Sequence, residues 1–261
     1  MAKAIVTGSE GFIGKALCKK LETENGVEVV RIDRSLGIEA KDIGDYLSDD
    51  VVGVFHLAAQ TSVFNKDLNR IADDNIVAFI EVVEQCNKHG VPLVYASSST
   101  ANDGNTTSLY GLSKRFDEQF AKLYAKKATG VRLHNVYGSE PRPGTLLHVL
   151  MNNSEVTLYN NGENIRCFTH IDDATEGLIA ALDCHRSVVN VVNYEPIRVA
   201  DFAEEVAKYN GVRLIYEPHQ RERDNVIQDV DHHLATVPLK YRNYHIGLKS
   251  IFEYGNKEIE I

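Results

Sequence analysis

TGSEGFIG, residues 7–14, connects a short apolar run to an amphipathic stretch and decides the fold of the chain. Gly8 permits a tight turn out of a strand, Gly11 lets the backbone approach a phosphate, and Gly14 permits close packing of a helix on that strand. Such a turn places phosphates at the N-terminus of the following helix, where backbone N–H groups face the ligand. The glycine spacing differs from the general G-x-G-x-x-G fingerprint, so the prediction of a dinucleotide site depends on the position of the loop between strand and helix.

Apolar runs and longer amphipathic stretches alternate along the first half of the chain. The predicted strands are Ala4–Thr7, Val27–Ile32, Val52–Leu57, Leu93–Ala96 and Thr129–Leu133, and the predicted helices are Phe12–Glu22, Ala72–His89 and Gly111–Lys127. This β-α-β-α-β order predicts an α/β fold of Rossmann type with a doubly wound parallel sheet. The alternation weakens after Leu133 and then returns. We therefore expect a dinucleotide-binding domain at residues 1–134, rejoined by 167–195, and a small, largely C-terminal substrate-binding region at 135–166 and 196–261.

The composition is that of an ordinary globular protein, with 43% hydrophobic residues and a net charge of −9 over 261 residues. Nucleic acid is not an expected partner, because phosphate neutralisation needs clustered Lys and Arg. The four cysteines are scattered without a CxxC pair, and the histidines show no ligand pattern, so neither a disulfide framework nor a metal site is predicted. No run approaches the roughly 18 apolar residues of a membrane-spanning helix. Since the N-terminus leads directly into the first strand, we expect an unprocessed cytoplasmic protein that does not bind a membrane.

The predicted second strand ends at Asp33, about 20 residues after the glycine loop. A carboxylate there can accept hydrogen bonds from the adenosine ribose hydroxyls, which favours NAD over NADP. Arg34 could instead contact a 2′-phosphate, or the two residues could form a solvated salt link. Asp42 and Ile43 are candidates for flanking the adenine, although Asp42 could equally cap a surface helix.

Hydroxyl side chains end the predicted fourth strand, at the edge where open α/β sheets bind ligands. They belong to Ser97, Ser98, Ser99 and Thr100, and Tyr110 and Lys114 follow in a YxxxK pattern. Residues four apart share a helix face, so Lys114 can lie beside the Tyr110 ring. An ammonium beside a phenol lowers the pKa of the phenol from about 10 and makes it a general base at neutral pH. YxxxK also occurs by chance as an exposed Tyr on a Lys stem, but the glycine loop, Asp33 and the serines in this chain order favour catalysis.

Several segments resemble the extended short-chain dehydrogenase/reductase family, the NAD-dependent epimerases and dehydratases. They are TGSEGFIG at 7–14, HLAAQ at 56–60, SSST at 97–100 and YGLSK at 110–114. RLHNVYG at 132–138 resembles the family's R-x-x-N-V-Y-G, RCFTHIDD at 166–173 resembles R-x-F-x-H-V-D-D, and RERD at 221–224 stands where the family often has RPGD. Together they cover nearly the whole chain in the family's order and are most like those of UDP-sugar 4-epimerases. The resemblance implies NAD as the cofactor.

The resemblance also implies site roles at the matching positions. Ser99 would hydrogen-bond the sugar hydroxyl or ketone, Tyr110 would take the hydroxyl proton, and Lys114 would bind the nicotinamide ribose and tune Tyr110. The residues implied to contact NAD, together with those named above for the adenosine, are Gly8, Gly11, Phe12, Ile13, Gly14, Asp33, Arg34, Asp42, Ile43, Leu57, Ala58, Ala59, Tyr110 and Lys114. The loop between Ser99 and Tyr110 has only 10 residues, fewer than is usual in the family, so Ser98 or Thr100 could replace Ser99.

The substrate implied by the resemblance is a nucleotide-diphosphate sugar, and we expect a UDP-hexose. Asn135, Arg166 and Arg221 would bind its diphosphate, for which the forked donors of arginine are suited. The alternative for the two arginines is a surface position with solvated partners.

The leading hypothesis for the reaction is 4-epimerisation of the UDP-glucose/UDP-galactose type, through transient oxidation of C4 to a 4-keto sugar. Family dehydratases usually have Asp-Glu after the catalytic Thr, whereas Thr100 and Ala101 follow Ser99, so dehydration is not expected. One alternative is an NAD(P)H-dependent nucleotide-sugar ketoreductase, favoured only by Arg34. Another is a non-catalytic dinucleotide sensor, which would not need an intact Ser/Tyr/Lys set.

The family commonly pairs subunits through the helices that correspond to Ala72–His89 and Gly111–Lys127, so we expect a homodimer.

Overall fold

The first strand is buried along nearly its whole length, as expected for a parallel strand that helices cover on both faces. The computed structural model describes residues 2–184, 186–221 and 224–254. Its strands are β1 (Lys3–Thr7), β2 (Glu28–Ile32), β3 (Val51–His56), β4 (Leu93–Ser98), β5 (Ala128–Leu133), β6 (Val136–Tyr137), β7 (Glu155–Tyr159), β8 (Ile165–Cys167), β9 (Thr169–His170), β10 (Val188–Val191), β11 (Pro196–Arg198) and β12 (Arg213–Glu217). Its α-helices are α1 (Phe12–Thr23), α2 (Leu68–Ile71), α3 (Ala78–His89), α4 (Leu109–Tyr124), α5 (Leu146–Asn152), α6 (Ile171–Ala180), α7 (Val199–Asn210) and α8 (Tyr244–Lys249).

The central sheet has six parallel strands in the order β2-β1-β3-β4-β5-β10. Because β2 and β3 lie on opposite sides of β1, the chain changes direction across the sheet at this strand. In open α/β sheets, ligands bind in the crevice at the carboxyl ends of the strands at such a switch point. The predicted Rossmann-type fold is therefore confirmed, and its ligand-binding edge lies where the glycine loop leaves β1.

Two helix boundaries differ from the sequence prediction. The helix predicted to begin at residue 72 starts earlier, as α2, and passes through a π-helical segment (Ala72–Val77) into α3. Helix α4 ends at Tyr124, because the Lys127 carbonyl already accepts a hydrogen bond from the Leu93 N–H in the strand ladder. Gly130 lies inside β5, as the predicted strand Thr129–Leu133 requires, and under the Tyr95 ring, where a Cβ would lie 2.6 Å from the ring's hydroxyl oxygen.

A second apolar core lies beside the sheet and is built by the short elements after β5. The Phe168 and Phe202 rings stack there at a centroid distance of 4.0 Å, with Tyr137 packed edge-on against both. Strand β7 pairs with β12, and β8 pairs with β11. These pairs give the second region its own scaffold, although the boundaries of our two-region division stay a prediction.

The segment after residue 224 runs back toward the central sheet. Isolated bridges join Ile227 to Ile165 and Thr236 to Asn190, a residue of β10.

Within the described ranges no helix is both long and apolar enough to cross a membrane.

Candidate active site

A cavity of about 1180 Å³ extends along the carboxyl edge of the sheet as far as the second region. Most of the residues predicted from the sequence line it, and these are Gly8, Gly11, Phe12, Ile13, Gly14, Asp33, Arg34, Leu57, Ala58, Ala59, Ser99, Tyr110, Asn135, Arg166 and Arg221. Lys114, Asp42 and Ile43 are not part of its lining. The fold thus brings the glycine loop, the serine cluster and the predicted diphosphate residues to one space.

The glycine loop fits a dinucleotide for steric reasons. Gly8 has φ +70°, and a Cβ there would lie 2.7 Å from the Ala58 backbone nitrogen, just after β3. A Cβ on Gly14 would overlap the Gly8 carbonyl oxygen. Gly11 is the N-cap of α1 and makes no side-chain cap, so the first N–H groups of this helix are left for a ligand. At Gly8 and Gly14 any side chain would collide with the backbone, so these two positions require glycine.

Asp33 follows β2 and lines the same cavity. Its Oδ2 accepts a hydrogen bond from the Glu10 N–H at 3.1 Å, and its Oδ1 accepts from the Ser35 N–H at 2.9 Å and from the Ser35 hydroxyl at 2.8 Å. Partial burial acts to raise the pKa of Asp33, but the Ser35 and Glu10 donors outweigh it and hold the pKa below its usual value. The side chain is therefore an ionised acceptor, as the ribose hydroxyls of NAD require.

Arg34 is held by two carboxylates. Its Nε donates to Glu39 at 2.9 Å, and its Nη2 donates to Asp74 at 2.7 Å. The hydrogen bonds to Asp74 and Glu39 raise the pKa of Arg34. A 2′-phosphate at this position would meet both carboxylates, so the geometry favours NAD over NADP.

Asp42 and Ile43 do not reach the cavity, which corrects our expectation that they flank the adenine. Ile43 is 0% exposed and packs in the core with Phe79 and Val83 of α3. Asp42 is exposed on the same short 3₁₀ helix (Ala40–Tyr46). The Ile43 side chain packs into the core against α3, so the Asp42 side chain next to it points to solvent.

The serine cluster is divided by its hydrogen bonds. Ser98 caps the turn that follows β4, since its Oγ accepts from the Thr100 N–H at 3.2 Å and from the Thr100 hydroxyl at 2.9 Å. Ser99 Oγ instead accepts from Gln228 Nε2 at 2.7 Å. Ser98 and Thr100 are thus paired with each other, which supports Ser99 as the hydroxyl that meets a ligand.

Tyr110 and Lys114 take different positions on α4. The Ser108 side chain accepts a hydrogen bond from the Gly111 N–H, and this cap places Tyr110 in the first turn, at the cavity wall. Lys114 is 2% exposed and lies behind the wall, where its Nζ donates to Asp117 Oδ2 at 3.0 Å.

The ion pair of Lys114 and Asp117 is charged at neutral pH. Burial favours the uncharged amine, but the Asp117 carboxylate outweighs burial and raises the pKa of Lys114. Burial raises the pKa of Asp117 to about 6. Lys114 therefore carries a buried charge that is paired with Asp117, one helical turn from Tyr110. Its predicted contact with the nicotinamide ribose and its predicted effect on Tyr110 stay predictions.

The two arginines of the predicted diphosphate site are held differently. Arg166 is largely buried, and its Nη2 donates to the Asp224 carboxylate and to the Asn225 carbonyl oxygen at 2.7 Å. Arg221 is exposed, and its guanidinium carbon lies 4.4 Å from the Phe64 ring centroid. Arg166 is thus fixed by the C-terminal segment, whereas Arg221 offers its donors at the rim. Its neighbours Glu222 and Arg223 in the RERD segment lie outside the described residues.

Sequence reasoning missed three residues that shape this site. Asp117 could have been found, because residues three apart on a helix are neighbours and Lys114 precedes it by three. Gln228 and Asn105 belong to no motif. Asn105 contacts Ser99 from six residues away in the same loop, whereas Gln228 reaches it across 129 residues of chain. Neither residue carried a signal in the sequence.

Comparison with known proteins agrees with this geometry. The model of the NAD dependent epimerase/dehydratase family matches residues 4–194. A putative UDP-glucose 4-epimerase of Methanocaldococcus jannaschii is 26% identical over 273 residues, which cover 87% of this chain and 89% of that protein. The UDP-2-acetamido-2,6-beta-L-arabino-hexul-4-ose reductase of Pseudomonas aeruginosa is 27% identical over 226 residues, which cover 81% of this chain and 58% of that protein.

Among solved structures, a UDP-glucose 4-epimerase of Thermotoga maritima with UDP-glucose superimposes with a TM-score of 0.82. It is 25% identical, and the match covers 99% of this chain and 100% of that one. The family match spans the glycine loop, Asp33, the serine cluster and Tyr110, which the structure gathers around one cavity, and Lys114, which lies behind the cavity wall. The chain is therefore a member of the NAD-dependent epimerase/dehydratase family, the extended short-chain dehydrogenases/reductases.

Proposed function

We propose that the protein is an NAD-dependent UDP-hexose 4-epimerase of the UDP-glucose/UDP-galactose type. The observation that carries the proposal is the single cavity that joins the glycine loop, Ser99, Tyr110 and the two arginines. Its volume of about 1180 Å³ exceeds the roughly 300–1000 Å³ of ordinary ligand pockets, which gives room for a dinucleotide and a nucleotide sugar together.

The glycine loop and Asp33 would hold NAD, which when bound accepts a hydride from the sugar and returns it. Tyr110 takes the proton of the C4 hydroxyl while that carbon is oxidised and gives it back when the carbon is reduced. Ser99 donates a hydrogen bond to the C4 oxygen, where negative charge develops. Lys114 stabilises the phenolate of Tyr110 from behind the cavity wall. Arg166 and Arg221 would anchor the diphosphate, whereas Asn135 already donates its two amide hydrogens to the Cys167 carbonyl oxygen and to Gln228 Oε1. With the diphosphate held, the 4-keto sugar can turn over and present its other face.

Two observations weigh against the other reactions of the family. The carboxylates around Arg34 disfavour the 2′-phosphate of NADP, and this removes the one sequence feature that favoured a ketoreductase. Ser99 is followed by Thr100 and Ala101, and neither side chain supplies the acid that loss of water needs.

The proposal is tested by incubating the purified protein with UDP-glucose or UDP-galactose and following both sugars by NMR. We expect the same mixture of the two from either direction, without net formation of NADH. Tyr110→Phe should lower kcat by about 10²-fold or more, since it removes the general base. The matched control is Tyr216→Phe, which changes an exposed tyrosine of β12 that does not line the cavity. Turnover that consumes reduced cofactor in stoichiometric amount would identify a ketoreductase instead, and no turnover would refute the proposal.

We further propose a homodimer formed through α3 and α4. Large apolar side chains are exposed on or beside these helices, at Val77, Leu112, Leu123 and Tyr124. Light scattering after size-exclusion chromatography should give twice the mass of the chain, and Leu123→Glu should shift it to the monomer. A monomeric wild-type protein would contradict the proposal.

A further inference from the structure

The C-terminal segment closes the active site over the short loop that follows Ser99. Asn105 in that loop is 1% exposed and makes two hydrogen bonds to the backbone of Asp229. Its Nδ2 donates to the Asp229 carbonyl oxygen at 2.7 Å, and its Oδ1 accepts from the Asp229 N–H at 3.1 Å. The same Nδ2 donates to the Ser99 carbonyl oxygen at 3.0 Å. One buried amide therefore fixes the segment to the serine turn.

Gln228 directly precedes Asp229, and its backbone and that of Val226 are hydrogen-bonded to β8. Its N–H donates to the Ile165 carbonyl oxygen at 3.2 Å, and the Ile165 N–H donates to the Val226 carbonyl oxygen at 2.7 Å. With backbone contacts on both sides, the Gln228 side chain is directed into the cavity that it lines. Gln228, a residue of the C-terminal segment, thus lies in the cavity beside Ser99, at the start of the short loop.

The hydrogen bonds determine which end of the Gln228 amide faces Ser99. Asn135 Nδ2 donates to the Cys167 carbonyl oxygen at 3.1 Å, and a carbonyl can only accept. The same Nδ2 donates to Gln228 Oε1 at 2.8 Å. The nitrogen of Gln228 must then point the other way, and it donates to Ser99 Oγ at 2.7 Å. The result is a chain of donors that runs from Asn135 through Gln228 to Ser99.

We propose that Gln228 is a positioning residue that orients the Ser99 hydroxyl as a donor toward the oxygen of the bound sugar. A serine hydroxyl has one hydrogen and two lone pairs. Because Gln228 Nε2 occupies a lone pair, the hydrogen is free for an acceptor in the cavity. Successive donors polarise one another, so Asn135 strengthens the effect. The inference rests on the proposed function, since it requires a sugar oxygen opposite Ser99.

Two substitutions separate orientation from packing. Gln228→Glu keeps the size of the side chain but replaces the donor with a carboxylate that accepts, so the Ser99 hydroxyl would turn toward it and away from the sugar. Gln228→Met keeps the length and removes the hydrogen bond. The matched control, Gln119→Glu, makes the same charge change at an exposed position of α4.

The closing experiment compares steady-state kinetics with UDP-galactose for these variants, for Ser99→Ala and for the double variant Ser99→Ala/Gln228→Glu. Gln228→Glu should lower kcat by about 10²-fold, the effect of losing one transition-state donor, while KM changes by less than about threefold. Gln228→Met should lower kcat by roughly tenfold. The double variant should be no slower than Ser99→Ala, because both changes remove the same interaction.

The outcomes are distinguishable. If Ser99→Ala is impaired but Gln228→Glu stays within about twofold of the wild type, or if the two losses multiply in the double variant, the inference is wrong. Circular dichroism checks that each variant is folded, and Gln228→Met makes the same comparison if Gln228→Glu does not fold. A wild-type protein that converts no nucleotide sugar would overturn the proposed function, and this inference with it.

Discussion

His134, directly after β5, predicts a loss of stability in acid that one substitution should remove. It is 1% exposed, and neither ring nitrogen has a hydrogen-bond partner among the described residues. Burial lowers the pKa of His134 to about 3, and the Arg132 charge adds to this effect. In the unfolded chain the imidazole has a pKa of about 6.5. Above pH 6.5 His134 is neutral in both states and does not lower the unfolding free energy. As the pH falls from 6.5 toward 3, only the unfolded state binds the proton, so the unfolding free energy decreases.

The size of the effect follows from the two pKa values. At pH 5 the unfolded state binds the proton and the folded state does not, which costs about 2 kcal/mol of unfolding free energy relative to pH 7. His134→Leu has a similar volume and does not titrate, so any change in packing is the same at both pH values. His56, whose pKa burial also lowers to about 3, is present in both proteins and cancels from the comparison.

The assay is urea unfolding of the wild type and His134→Leu at pH 7 and pH 5. On going from pH 7 to pH 5 the wild type should lose about 2 kcal/mol more unfolding free energy than His134→Leu. His233→Leu is the control, because solvent surrounds this exposed side chain in both states, and it should follow the wild type. Equal differences at pH 7 and pH 5 for His134→Leu would refute the reasoning.

Three further substitutions test the cofactor edge and the buried ion pair. Gly14→Ala places a Cβ against the Gly8 carbonyl oxygen, so we expect a loss of more than about 2 kcal/mol of unfolding free energy together with loss of NAD binding, and an unchanged urea midpoint would contradict this. Asp33→Ala should weaken NAD binding by roughly 10- to 100-fold in calorimetry, since a hydrogen bond to a charged group contributes about 1.5–3 kcal/mol, and equal affinity would exclude the assigned role. Asp117→Asn leaves Lys114 without its buried carboxylate and should cost about 3–5 kcal/mol of unfolding free energy, much of which the double variant Asp117→Asn/Lys114→Met should recover. A double variant no more stable than Asp117→Asn would show that the cost does not come from the unpaired charge.

The strands and the glycine loop could be predicted because their signals are local. Burial along β1, the turn at Gly8 and the helix start at Gly11 are all set by residues within a few positions of one another. The same holds for Tyr110 and Lys114, which share one helix. Arg34 shows the limit of such reasoning, because its partner Asp74 lies 40 residues away and only the fold shows that the guanidinium is occupied.

The remaining features depend on tertiary contacts that a linear pattern does not carry. Gln228 reaches Ser99 across 129 residues of chain. Ile43 is apolar, and apolar residues line both cores and adenine pockets, so its place in the core could not be distinguished from a place at the cofactor. Gly130 was expected within the strand Thr129–Leu133, but only the fold shows why a glycine is needed there, because the Tyr95 ring packs against it.

The central claim is a transient oxidation at C4 with return of the same hydride, and a deuterium label at that carbon tests it most directly. UDP-glucose deuterated at C4 is incubated in ordinary water with the protein and without reduced cofactor, and the product is analysed by NMR and mass spectrometry. The account predicts UDP-galactose that keeps the deuterium at C4, together with conversion slowed by about 10²-fold or more in Tyr110→Phe. Product that has lost the label to solvent, or no inversion at C4 by a protein that binds both NAD and UDP-glucose, would contradict it.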